Sequence, residues 1–177
     1  MPTTFGNHCV GCPFGNAAHL SQADQSIRSK PLSMEDNGSS VLLVFQAPGV
    51  DEWSTGKPVS SLNPKSAGAK LAGAFQQAGK SRADYNLTNT VQCFPGKRPS
   101  SSEFRPRDKA PAAAARTRCS NWLRHDVESS HYSKIVVFGA HARKAVQALG
   151  FATDSRFHFL THPSGGLSNA SLVAAVA

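Results

Sequence analysis

Ser40 to Ser61 reads SVLLVFQAPGVDEWSTGKPVSS, and the order of residue types within it decides the fold class. Val41 to Phe45 is an unbroken run of branched and apolar side chains. That is the pattern of a strand buried on both faces, as in a parallel sheet covered by helices. Gln46 follows at once, and Ala47, Pro48 and Gly49 cannot continue a strand, so the chain turns sharply there. The turn leaves the Gln46 side chain and nearby backbone N–H groups at the strand's carboxyl end. In an open α/β sheet that edge is where ligands bind.

Working outward, the same punctuation repeats. Ser66 caps a predicted helix whose apolar side is Ala67, Leu71, Ala74, Phe75 and Ala78, with Gly79 as its stop. Tyr85, Leu87, Asn89 and Val91 then alternate with polar residues at the period of a strand, which puts Asn89 on the face of three apolar neighbours, where an amide needs a partner. Pro111 and the alanines after it open a helix reaching about His125. Lys134 to Phe138 is a third strand, and Gly139-Ala140 turns it into a helix presenting Ala142, Ala145, Val146 and Leu149 before Gly150. A fourth strand, Phe157 to Leu160, runs into Thr161-His162-Pro163-Ser164-Gly165-Gly166-Leu167-Ser168. This alternation predicts an α/β chain: a single three-layer α/β/α domain with a central four-stranded parallel sheet, its strand-end loops gathered on one edge. Gln46, Asn89 and His162 are expected on that edge.

A chain of 177 residues suits one domain, so residues 1–177 are expected to form a single unit. With 19 Lys and Arg against 11 Asp and Glu, the net charge is +8. Such a chain attracts a polyanion, although solubility accounts for charge as well. The eight basic residues Lys97, Arg98, Arg105, Arg107, Lys109, Arg116, Arg118 and Arg124 stand against two acidic ones over the same span. Residues 94–110 form a basic loop, which reads either as a solvated surface or as a phosphate-tracking one. The N-terminus lacks a basic segment followed by an apolar run, and no stretch is apolar enough to span a membrane, so the cytoplasm is expected and membrane association is not. Residues 1–39 read as a wrapping segment, polar and irregular from Gly15 onward. They carry the CxxC pair Cys9 and Cys12. In a reducing compartment Cys9, Cys12, Cys93 and Cys119 suit a metal or cluster better than disulfides, with ordinary buried thiols as the alternative for the latter two.

QAPG followed by GKP at Gly56 to Pro58, YNLTNTVQC, FGAHARKAV and THPS occur in that order. Together they resemble the uracil-DNA glycosylase superfamily, in particular its iron–sulfur branch, family 4. The resemblance implies a uracil-DNA glycosylase-like fold and a 4Fe–4S cluster on Cys9, Cys12, Cys93 and Cys119, with zinc as the alternative. It also implies a monofunctional uracil-DNA glycosylase, a hydrolase of N-glycosyl bonds that leaves an abasic site for base excision repair. Its partner is DNA containing uracil or a deaminated base, and it is expected to act as a monomer.

Carried over residue by residue, the resemblance makes Gln46 the water-handling residue and His162 the catalytic histidine. Asn89 reads the uracil, with Ala47, Gly49 and Val59 beside it. The resemblance implies DNA contacts by Ser164 and by Leu167, the latter as an apolar wedge, while Arg105 and Arg107 are expected to contact DNA on the phosphate-tracking reading of the basic loop. An amide such as Asn89 matches uracil's N3–H and O4, and a histidine donor meets charge growing on O2 as the base leaves. The chain also departs from family 4. Gln46 stands where a carboxylate is expected, which leaves Asp51 or Glu52 to reach in. Val59 replaces the stacking aromatic, for which Trp53 is the substitute. The closing segment Ala170 to Ala177 is short. These departures motivate the alternative of a binding module of the same fold, recognising uracil or damaged DNA with little or no turnover.

Overall fold

The computed structural model describes residues 9–98, 108–128 and 132–177. Among the described residues, strands β1 (Val41–Phe45), β2 (Asn86–Asn89), β3 (Lys134–Phe138) and β4 (Phe157–Leu160) form one all-parallel sheet in the order β2-β1-β3-β4. The run that opened the sequence argument is an inner strand. Leu42, Leu43 and Val44 are fully buried, each stabilising the fold by about 1.5–3 kcal/mol relative to exposure. Because successive side chains face opposite ways, Leu43, Phe45, Leu87, Val136 and Phe138 meet one helix layer, built from α3 (Ala67–Gln77) and α6 (Asn169–Val176). Leu42, Val44, Ile135 and Val137 meet the other, built from α4 (Ala113–Glu128) and α5 (Ala140–Ala148). The expected three-layer α/β/α arrangement is what the chain adopts. Although only eight residues long, α6 reaches the core, burying Leu172 and Val176.

Two elements were not anticipated. The turn after Gln46 leads directly into α2 (Val50–Thr55), whose Glu52 carboxylate turns back to accept the Gly49 N–H at 3.0 Å, while Trp53 is fully buried. The polar N-terminal segment contains α1 (Gln22–Ile27), capped by Ser21, whose hydroxyl accepts the Asp24 N–H. Downstream of α1 the segment wraps the sheet in a definite way. Glu35 and Leu87 exchange backbone hydrogen bonds of 2.8 and 2.9 Å, and the Leu32 N–H donates to the Gln92 carbonyl at 2.7 Å. The segment thereby covers the open edge of β2, which would otherwise present unpaired backbone groups.

Strand order places the reversal of winding between β1 and β3: from β1 the chain goes to one neighbour, and β3 and β4 extend the other side. In such sheets the crevice at the carboxyl ends beside the reversal is the natural ligand site. Gln46 and Gly139 directly follow those two strands.

Candidate active site

A cleft of about 1010 Å³ opens there. Phe45, Gln46, Ala47, Gly49, Val59, His162 and Ser164 all line it, so residues distant in sequence meet as expected. The Gln46 backbone is pinned by two bonds to its carbonyl, from the Thr90 hydroxyl at 2.7 Å and the Val91 N–H at 3.1 Å. Asn89 does not line the open cleft. It pairs in register with Phe45 and shares the parity of Leu87, which places it fully buried on the α3/α6 side of the sheet. Among the described residues neither of its amide atoms has a hydrogen-bond partner. An orphaned buried amide costs stability unless something bonds to it, and Asn89 is such an amide.

His162 sits where β4 gives way to a 3-10 turn, Pro163–Gly165. Its ring meets Phe45 edge-on, with centroids 6.4 Å apart, and Phe45 stacks on Phe138 at 4.8 Å. The Ser164 N–H donates to Nδ1 at 3.3 Å, which assigns the ring proton of the neutral form to Nε2. Burial holds the imidazole below its ordinary pKa, and the Lys70 ammonium adds to the effect. Lys70 is itself fixed, donating to the Pro163 carbonyl at 2.9 Å. Gly139, at φ +93°, makes room for the ring: a Cβ there would stand 3.2 Å from the His162 Cβ. Lys70→Met is expected to move the His162 pKa upward toward the ordinary value, as read by NMR titration of the imidazole. An unmoved titration would mean that burial alone sets it.

Val59 adopts φ +49°, a conformation costly for a β-branched residue. Arg82 holds it there, donating to the Pro58 and Val59 carbonyls while its guanidinium pairs with Glu35 at 2.8 Å. Sequence reading missed both Lys70 and Arg82, because each acts on a loop far away in the chain. Trp53 lies outside the cleft: its indole N–H donates to the Asp24 carbonyl at 3.0 Å, and it is fully buried against the N-terminal segment. It cannot serve as the missing aromatic platform. Leu167 is half-buried against the α3/α6 core cluster, whereas Leu62, near the cleft mouth between Ser61 and Asn63, is 86% exposed. Arg105 and Arg107 lie outside the described residues. The two ends of their loop are held together: Lys97 bridges to Asp108, the Lys109 N–H donates to the Gly96 carbonyl at 2.8 Å, and Lys97, Asp108 and Lys109 all line the cleft.

Cys93 and Cys119 are buried in a second apolar cluster with Phe14, Leu20, Leu32 and Trp53, and Cys12 packs against it. Burial raises both thiols, Cys119 to about 12. In each case the charges of Cys9 and Cys12 push the same way, so all four sulfurs sit within electrostatic reach of one another. Among the described residues no three metal-ligating side chains are drawn in to a spacing that would hold a metal ion.

The Uracil DNA glycosylase superfamily profile matches residues 33–175, most of the chain, and the chain belongs to that superfamily. The match covers Gln46, Asn89, His162, Cys93 and Cys119 and stops short of the CxxC pair. No curated protein matches the chain. Among the described residues no helix is long and apolar enough to cross a membrane.

Proposed function

We propose that the protein is a monofunctional uracil-DNA glycosylase that hydrolyses the bond between uracil and deoxyribose, leaves an abasic site, and works on DNA as a monomer. The observation that carries this is Asn89. A fully buried amide with donor and acceptor both unpartnered, beside a cleft containing Gln46 and His162, suits the complementary donor and acceptor edge of a flipped uracil. Phe45 lies between Asn89, its partner in register, and His162, its edge-on ring neighbour. His162, neutral with its proton on Nε2, suits a donor to uracil O2 as the base leaves as an anion. Gln46 suits the orientation of water. Ser164 and the half-buried Leu167 follow His162 on the loop that would meet the DNA.

Cys9, Cys12, Cys93 and Cys119 would hold a 4Fe–4S cluster, in keeping with the iron–sulfur branch. The all-thiol donor set fits such a group, zinc being the alternative. When bound, the cluster supplies structural cross-linking between the N-terminal segment and the sheet.

The reading is tested by incubating the protein with uracil-containing oligonucleotides, single-stranded and duplex, and scoring abasic sites alongside gel shift. Release of uracil is expected from both. A shifted band with no abasic sites would favour the binding-module alternative, toward which Gln46 and the non-aromatic Val59 point.

A further inference from the structure

Hydrolysis of an N-glycosidic bond through a cationic sugar is helped by a group that takes a proton from the attacking water. Neither Gln46 nor His162 supplies it. The amide of Gln46 has no titratable proton, and the His162 Nδ1 is occupied by the Ser164 N–H. The carboxylates in the cleft wall are Asp51, Glu52 and Asp108. Glu52 uses both oxygens, accepting the Gly49 N–H at 3.0 Å and the N–H of Ser61, beyond the end of α2, at 3.2 Å. Asp51 accepts the Ser61 hydroxyl. Glu52 is thus fully engaged in building the α2 turn, and Asp51 is tied by one oxygen to Ser61.

Asp108 differs. It comes from the far end of the basic loop, held by its bridge to Lys97, and it accepts the Val50 backbone N–H. Its Oδ2 lies 2.7 Å from the position a Cβ would take on Gly49, and Glu52 Oε2 lies 2.8 Å from that same point. Glycine at 49 is therefore what admits the Asp108 carboxylate onto the turn that carries Gln46. A side chain at 49 would require the Asp108 or the Glu52 carboxylate to shift.

We propose that Asp108 is the catalytic base, taking a proton from a water that Gln46 orients. The proposal rests on the glycosylase reading above. The C1′–N1 bond breaks and its electron pair leaves with the base, whose charge on O2 meets the His162 Nε2–H; the water oxygen then bonds to the cationic C1′. The water's proton passes to Asp108 and then to solvent, from which the departed uracil regains a proton. Asp108 as a residue stays exposed, yet partial desolvation of its carboxyl beside the turn lifts it to about 6; Lys97 opposes the shift, Glu52 and Asp51 add to it, and the Val50 N–H opposes it. Lys65, Lys109 and His162 are the other titratable groups in the cleft wall. A carboxylate of this kind is ionised at neutral pH and more basic than an ordinary one.

The test is single-turnover excision from a single-stranded uracil oligonucleotide between about pH 5 and about pH 8.5, with oligonucleotide affinity and Tm measured in parallel. The wild-type rate is expected to rise through about pH 6 and then level. Asp108→Asn should be slower by about thirtyfold on the plateau, modest for a base because the glycosidic bond is largely broken before water attacks. It should lose the limb near pH 6 and keep its affinity and Tm. Asp108→Glu should restore much of the rate together with a limb. Full rate in Asp108→Asn, or a loss that tracks Tm and that Glu does not rescue, overturns the proposal while leaving the glycosylase reading standing. A wild type that binds the oligonucleotide without releasing uracil overturns both.

Discussion

Cys93→Ser is expected to bleach a brown protein, remove most of its iron and lower its Tm by about 10 °C. The size follows from where Cys93 sits. It is 4% exposed, at the continuation of β2, in an apolar cluster that joins the N-terminal residues Phe14, Leu20 and Leu32 to Ala115 and Cys119 of α4. Without a bound group these thiols stay neutral, since burial and their mutual repulsion both raise them. A cluster reverses that preference, so its binding free energy is folding free energy for this region. Loss of a bound group from such a position costs on the order of 4 kcal/mol, and in a domain of this size each kcal/mol is about 2–4 °C of Tm. The effect should also reach the cleft. The Gln92 N–H donates to the Cys119 thiol, while its side-chain amide donates to the Asn89 carbonyl at 3.0 Å, tying the cysteine region to the end of β2. Iron analysis, visible absorbance and a melting curve check the expectation. A colourless wild type with one zinc would replace iron with zinc, and a Cys93→Ser protein with unchanged iron would remove Cys93 from the ligand set.

What could be read from the chain alone divides along a physical line. Strands β1 and β3 announce themselves because buried parallel strands must be apolar on both faces, and helix α3 because its apolar period, the Ser66 cap and Gly79 agree. The positions of Gln46 and His162 follow from that, since strand ends in such a sheet share one edge. Helix α2 was hidden because VDEWST has no helical apolar period. Its stability comes from Glu52 folding back on Gly49 and from Trp53 finding a distant carbonyl. Asp108 was hidden for a related reason. Its place depends on how Lys97 closes the base of a long loop, and on a glycine whose importance is the space beside it. Asn89 was half visible: alternation put it on an apolar face, but the register with Phe45 that sets it beneath the cleft is a tertiary fact.

His162→Ala is expected to slow single-turnover uracil excision by about 10²-fold, or about 3 kcal/mol, while binding of the uracil oligonucleotide stays nearly intact. The asymmetry between rate and affinity follows from when the interaction matters. Uracil O2 in the ground state is a weak acceptor already satisfied by water, and it becomes a strong one only as the C1′–N1 bond breaks. A neutral donor is the better choice for this task, because a charged imidazolium would have to be desolvated in a cleft where Lys70 already stands close. The ring is also held in place before substrate arrives, by the Ser164 N–H on Nδ1, the edge contact with Phe45 and the space left by Gly139, so little reorganisation is needed at the moment of reaction. A second variant separates presence from placement. Gly139→Ala forces a Cβ to within 3.2 Å of the His162 Cβ and demands φ +93° of a residue with a side chain. It should displace the ring and reproduce much of the rate loss with His162 still present. Full excision activity in His162→Ala would mean that the donor to the leaving base lies elsewhere on the carboxyl edge of the sheet.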